Sequence, residues 1–285
     1  MTLPEATAAT RPPTEAVRLE SVGFVYSDGT RALQDVSLSI ASGERVVIAG
    51  ENGSGKSTLV RQLNGLLRPT EGRVVLFGQD ARRRHVAELA RVVGLAFQNP
   101  DRQIFAGSVR AEVAFGPRNL GRTEVEVDRL VEEALASVGL AEESRTNPYD
   151  LGFSRRKLLA LASVVAMDTP VVVVDEPTTG QDAPGIGRIR ALIDQLSAKG
   201  RTIIAISHDM RFVAENFERV VVMGGGRVML DASPSVVFAE AAWPVLDATS
   251  LTPTYPALLG ARLGLGSTPT DTLFAGALAA RQVSS

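Results

Sequence analysis

Apolar positions along the chain fall into two rhythms. From about Val17 to Arg45 short β-like stretches run, broken at Ser27-Asp28-Gly29. Arg45-Val46-Val47-Ile48-Ala49 is a compact apolar run that predicts a strand. It enters a glycine-rich turn and then Lys56–Asn64, which predicts a helix stopped by Gly65. Val74–Phe77 predicts a further strand. The clearest helical rhythm lies at Thr123–Gly139. There Val127, Leu130, Val131, Ala134, Leu135 and Val138 share one face, Thr123 and Glu126 have capping-box spacing, and Gly139 suits the stop. Arg155–Met167 predicts a second helix. Pro170 then introduces the strand Val171–Val174. Ile186, Ile189, Leu192, Ile193 and Leu196 mark an amphipathic helix ended by Gly200, and Thr202–Ile206 follows as a strand.

Strands alternating with helices predict an α/β fold around a mainly parallel sheet. Residues 99–165 read as a mostly helical insertion. Residues 1–16, rich in Pro, Thr and Ala, are expected to be a flexible tail. Residues 233–285 are expected to be a loosely ordered appendage, because only four residues from Ala241 to Ser285 are charged and Pro, Ala, Gly and Thr are frequent.

Composition narrows the function classes. With 45% hydrophobic residues in a chain of 285, wholesale disorder is excluded. Thirty basic and 32 acidic side chains give a net charge of −2, against a generally basic nucleic-acid-binding surface. The absence of cysteine removes disulfides, thiolate metal sites and thiol nucleophiles. The densest apolar runs, Val171–Val174 and Val220–Met223, are far shorter than the roughly 20 residues a membrane span needs. The N-terminus lacks the pattern of a signal peptide, so a cytoplasmic location is expected.

Two motifs carry chemistry. Gly50-Glu51-Asn52-Gly53-Ser54-Gly55-Lys56-Ser57-Thr58 matches G-x-x-x-x-G-K-[ST] between a predicted strand and a predicted helix. Glycines let successive N–H groups turn toward phosphate oxygens, and the helix start adds favourable charge for an anion. Lys56 suits the β- and γ-phosphates and the Ser57 hydroxyl suits Mg²⁺. Only three residues are lysine, Lys56, Lys157 and Lys199, so a chance match is rare. The second motif is Val171–Val174 followed by Asp175-Glu176-Pro177. A buried strand delivers two carboxylates at its carboxyl end, where ligands collect in such sheets. Asp175 is placed to hold the metal and Glu176 to orient or deprotonate water. A solvated acidic turn is the plainer alternative, weakened by the phosphate loop upstream.

In this order the motifs resemble those of ATP-binding cassette (ABC) ATPases, over about Val17–Asp231. The resemblance implies a P-loop NTPase nucleotide-binding domain over 17–232, with an N-terminal β subdomain, a RecA-like core and the helical insertion. It makes Gly50–Thr58 the Walker A loop and Val171–Glu176 the Walker B strand. Tyr26 matches the aromatic that stacks on adenine. Gln98 matches the glutamine that touches Mg²⁺ and the attacking water and senses the transmembrane partner. Thr179-Gly180-Gln181-Asp182 matches the loop that crosses the dimer interface, and His208 the switch histidine near the γ-phosphate. Alone, each has a plainer role: strand-edge aromatic, polar loop residue, capping histidine. His85, beside Arg82-Arg83-Arg84, reads as part of a solvated helix face.

Phe97-Gln98-Asn99-Pro100-Asp101-Arg102-Gln103-Ile104-Phe105 and Val113–Pro117 resemble the ATPase subunits of energy-coupling factor (ECF) transporters, which import vitamins, cobalt or nickel. That likeness implies that Asp101, Gln103, Ile104 and Phe105 line the groove for the membrane-embedded coupling subunit, with Ile104 and Phe105 as apolar anchors; the alternative is that both pack inside the insertion. It also implies a separate substrate-binding membrane subunit, and a place at the cytoplasmic face of the membrane. The family's LSGGQ signature is degenerate here. Leu151-Gly152-Phe153-Ser154-Arg155 puts glycine where the serine stands and arginine where the glutamine stands. A homodimer would have two impaired composite sites, so the resemblance implies a heterodimer with a second ABC ATPase. Arg155, Arg156 and Lys157 oppose the helix dipole and either meet a phosphate or point to solvent. The alternatives are a conventional ABC transporter subunit or a non-transport ABC protein, for which no coiled-coil insertion or second cassette is visible.

Overall fold

The computed structural model describes residues 15–283. Glu15–Val25 (β1) and Arg31–Ala41 (β2) form a hairpin across Ser27-Asp28-Gly29. Arg45–Ala49 (β3) leads through the phosphate loop into Lys56–Leu63 (α1). Glu71–Leu76 (β4), Gln79–Asp80 (β5), Val86–Leu89 (α2) and Val93–Ala96 (β6) follow. His85, expected on a solvated helix face, is the N-cap of α2. Next come three helices, Val109–Asn119 (α3), Glu124–Ser137 (α4) and Phe153–Val165 (α5), with no strand between residues 99 and 165. Val171–Asp175 (β7), Ala183–Ala198 (α6), Thr202–Ile206 (β8), Met210–Asn216 (α7), Arg219–Gly224 (β9) and Arg227–Ala232 (β10) rebuild the sheet. Pro234–Val237 (α8), Trp243–Ala248 (α9), Tyr255–Arg262 (α10) and Asp271–Val283 (α11) close the chain.

The local signals explain most of these bounds. α4 starts where Thr123 accepts the Glu126 N–H and the Glu126 carboxylate accepts the Thr123 N–H. Such a cap contributes about 1 kcal/mol. The strand expected at Val74–Phe77 starts three residues earlier and ends at Leu76; Phe77 has left the strand with a positive φ of 46°.

Two sheets result. The smaller is antiparallel, in the order β2-β1-β4-β5; the larger runs β10-β9-β3-β8-β7-β6 and is parallel except at β10. The strand residues alternate between two cores. Val47, Ala49, Val172 and Val174 face the helices, while Val46, Ile48, Val171 and Val173 face the smaller sheet. A strand buried on both faces reads as a continuous apolar run, which is why Val171–Val174 shows no alternation. Arg219 on β9 ties the sheets together, pairing with Asp231 and with Glu44 and donating to the Ser39 carbonyl.

Both termini differ from expectation. Of the flexible tail expected over 1–16, residues up to 14 lie outside the described ones, and Glu15 and Ala16 already belong to β1. The segment after 233 is folded rather than loose. Val237, Phe238, Leu246 and Leu251 are buried in the same core as Phe212 and Phe217. Prolines sit in the first turns of α8, α9 and α10, where a missing N–H costs nothing.

Candidate functional site

The site assembles at the carboxyl ends of β3, β7 and β8, which the register sets level: Ile48 and Asp175 both pair with Ile206. The phosphate loop leaves β3 at Gly50, with φ +147°, and any Cβ there would lie 2.2 Å from the Met223 carbonyl oxygen. Only glycine lets the backbone pass this close to β9.

Lys56 is buried, and its Nζ donates to the Gly50 and Glu51 carbonyls at 2.7 Å each. Burial pulls its ammonium below the usual lysine range, while the Glu176, Asp175 and Glu51 carboxylates pull the other way. The amine is thus held inside the loop by carbonyls that a phosphate oxygen can outcompete for its charge. Ser57 Oγ donates to Asp175 Oδ2 at 3.1 Å, joining the two motifs across 118 residues of sequence. Burial raises the Asp175 carboxyl, the Ser57 bond and the Arg61 and Lys56 cations lower it, and Glu176 raises it further.

Glu176 follows β7 in the left-handed region, φ +51°. Its N–H donates to the Ile206 carbonyl at 2.9 Å, and Oε1 accepts from His208 Nδ1 at 2.8 Å. Its Oε2 is buried with no hydrogen-bond partner. The cleft, about 290 Å³, is lined among others by Tyr26, Arg31, Asn52, Gly53, Gln98, Asp175 and Glu176. The Tyr26 hydroxyl shares a 2.8 Å hydrogen bond with Thr58, and its ring stands edge-on to Phe24. Ser57 and Asp175 present hard oxygen donors for a small divalent cation. Among the described residues no group of three or more His, Asp or Glu is placed to hold a metal ion.

Tyr26, Asn52, Gly53, Gly55–Thr58, Gln98, Asp175 and Glu176 therefore line one cleft; Gly50, Glu51 and Ser54 stand behind it holding Lys56, and His208 joins through its bond to Glu176. The residues expected at the partner interface divide. Ile104 is 3% exposed and packs in the helical core, so it is not a surface anchor. Gln103 is an internal brace, accepting the Phe97 N–H and donating to the Ala160 carbonyl and Ser163. Phe105 is 59% exposed and stands edge-on against exposed Phe115 at 4.7 Å. The buried Glu112 carboxylate fixes the turn that presents it, accepting the Phe105 and Ala106 N–H groups at 3.0 and 2.8 Å. Asp101 is exposed and pairs with Arg156 at 3.0 Å.

The degenerate signature opens α5, with Gly152 as N-cap and Leu151 buried. The three cations there go separate ways rather than forming a cluster. Arg155 pairs with Glu143, and Arg156 with Asp101. Lys157 is buried, donating to the carbonyls of Glu176 and Thr179. Ser154 and Gln181 bond reciprocally, at 2.9 and 3.0 Å, and the Phe153 ring lies over Gly180. Asp182 caps α6, accepting the Gly185 N–H at 2.9 Å. Two further residues touch the site without a motif to announce them: Lys157, and Ser250, whose hydroxyl donates to Glu51 at 3.1 Å.

A glycine-cradled loop between strand and helix, with an aspartate on a neighbouring parallel strand, defines a P-loop nucleoside triphosphatase. The ABC transporter family pattern matches residues 33–179, just over half the chain. The energy-coupling factor transporter ATP-binding protein EcfA of Methanocaldococcus jannaschii is 40% identical over 226 residues, 79% of this chain and 81% of that protein. A putative ABC transporter ATP-binding protein of Caldanaerobacter subterraneus subsp. tengcongensis is 42% identical over 79% of this chain, which spans only 39% of that longer relative. Among solved structures, cbiO1 from Clostridium perfringens, described as part of the ABC transporter complex cbiONQ, superposes with a TM-score of 0.72 at 34% identity, covering 82% of this chain and 95% of that one. This chain belongs to the ABC transporter family, as an ATP-binding ATPase.

Proposed function

We propose that this chain is one ATPase of an ECF-type importer for a vitamin or transition-metal ion, paired with a second, different ABC ATPase at the cytoplasmic face of the membrane. The carrying observation is an asymmetry. The hydrolytic half, Lys56, Ser57, Asp175 and Glu176, with His208 bonded to Glu176, converges on one cleft, while the start of α5 is occupied with its own chain. A partner with an intact signature completes this cleft. The M. jannaschii and C. perfringens relatives support the transporter class by what their names say of them. No helix among the described residues is long and apolar enough to cross a membrane, so membrane attachment is assigned to integral coupling and substrate-binding subunits. The exposed Phe105–Phe115 pair is the contact offered to the coupling subunit. Nucleic acid is not a partner.

In the reaction, Lys56 exchanges the Gly50 and Glu51 carbonyls for the β- and γ-phosphates of ATP. Ser57 and Asp175 are the residues that would hold Mg²⁺, which supplies charge neutralisation on the transferring phosphoryl group. The Glu176 carboxylate accepts from the attacking water, and His208 steadies it through Oε1. Tyr26 offers its ring to the adenine.

Glu176→Gln tests the site. In the assembly purified through a tag on the full-length chain, hydrolysis falls by more than about tenfold while ATP binding persists. A rate within about twofold of wild type refutes the assignment. Mass spectrometry of the same assembly is expected to show a second ABC ATPase and an integral membrane protein. Copies of this chain alone refute the heterodimer.

A further inference from the structure

Lys157 is 6% exposed, and nothing in the motif chemistry calls for it. A buried ammonium persists only where acceptors replace its lost water. Its acceptors are the carbonyls of Glu176 and Thr179, which bracket the turn leaving β7. Glu176 stands at φ +51°, a conformation that a residue with a Cβ keeps only when its surroundings hold it. Three bonds do so. The Ile206 carbonyl takes its N–H, Lys157 takes its C=O, and His208 takes Oε1. The first and third come from β8 and the residues just after it. Only Lys157 belongs to the helical insertion, one turn into α5. Two neighbours on that turn grip the same loop further along, Phe153 at Gly180 and Ser154 at Gln181.

We infer that Lys157 is a positioning residue for ATP hydrolysis: it carries the position of α5 to the Glu176 backbone, so that the Glu176 side chain keeps its place in the lining of the cleft only while this helix is in place. The start of α5, stripped of its usual signature, then acts on the water-orienting carboxylate of its own chain. This rests on Glu176 being that carboxylate.

The test uses Lys157→Met, Lys157→Gln and Glu176→Gln, singly and as Lys157→Met/Glu176→Gln, in the assembly purified through the full-length chain. Lys157→Met is expected to lower kcat at least about tenfold with KM for ATP changed less than about twofold. Lys157→Gln, which keeps two N–H donors on a chain one atom shorter, recovers at least about threefold of that loss. In the Glu176→Gln background, Lys157→Met adds less than about twofold, because its effect passes through Glu176. The inference is overturned if Lys157→Met stays within about twofold of wild-type kcat while Glu176→Gln is inactive, or if the two losses multiply. Should Lys157→Met fail to fold, Lys157→Gln decides: reduced kcat at unchanged KM supports the role and unchanged kcat overturns it. Wild-type activity in Glu176→Gln instead strikes the underlying assignment of Glu176.

Discussion

The contact between Phe153 and Gly180 offers a sharp test of how the altered signature sits. A Cβ on Gly180 would lie 2.6 Å from Phe153 Cε1 and 2.9 Å from Cδ1, well inside ordinary contact. Gly180 also has φ +73°. Gly180→Ala therefore carries two separable costs. The left-handed backbone costs alanine about 1–2 kcal/mol wherever Phe153 is. The ring clash adds about 1–3 kcal/mol, and the half-exposed ring, 42% accessible, relieves it partly by swinging outward. The single variant should lose about 2–4 kcal/mol. In a Phe153→Ala background only the backbone share, about 1–2 kcal/mol, remains. Denaturant unfolding of wild type, both single variants and the double variant gives the coupling as a cycle, expected at about 1–2 kcal/mol. A coupling below about 0.5 kcal/mol refutes the placement, since residues in contact interact by more than that. The outcome bears on assembly, because a ring lodged against its own loop is not one reaching across to another subunit's nucleotide.

Other outcomes follow from burial and charge. Ile104→Ala should cost about 2–5 kcal/mol in unfolding free energy. Phe105→Ala should change stability by less than about 1 kcal/mol yet reduce recovery of the membrane subunit in a pull-down. Deleting residues 233–285 should give insoluble or unfolded protein, because it strips Val237, Phe238, Leu246 and Leu251 from the core they share with Phe212 and Phe217; a soluble, ATP-binding truncation would contradict this packing. Burial lowers the Lys157 ammonium to about 8, against Glu176 and Asp175, which raise it. Between that value and the ordinary lysine range the unfolded chain holds a proton that the folded chain has lost, so stability contributed by this group rises with pH. Wild type should gain on Lys157→Met by on the order of 1 kcal/mol between pH 7.5 and 9.5, read as the difference in denaturation midpoints; a difference flat with pH would remove the burial argument.

Much of the nucleotide cleft was legible because its residues are bound to their neighbours in sequence. A loop from Gly50 to Thr58 must follow a strand and open a helix, and Asp175 must end a buried run. The partner-facing residues were harder, because a sequence does not distinguish Ile104 from Phe105: both are apolar, and only the fold turns one inward and the other out. Lys157 was invisible for a similar reason. Next to Arg155 and Arg156 it reads as one more surface cation, and its carbonyl partners lie 19 and 22 residues away. The helices after 233 were missed because few charges and frequent Pro, Ala, Gly and Thr give a weak periodic signal, while three of those prolines open helices.

The sheet order sets a timetable for synthesis. β3, which carries the phosphate loop, lies between β8 and β9, and both leave the ribosome well over a hundred residues after it. At roughly 5–20 residues per second, that is a wait of about 8–30 s. Until then Gly50 has no Met223 carbonyl to rest on and Ser57 has no Asp175 to meet. A nascent chain therefore has no completed cleft until β7 and β8, whose carboxyl ends supply Asp175 and Ile206, have joined β3. Binding at that cleft stabilises only molecules in which these late strands have closed on the early one.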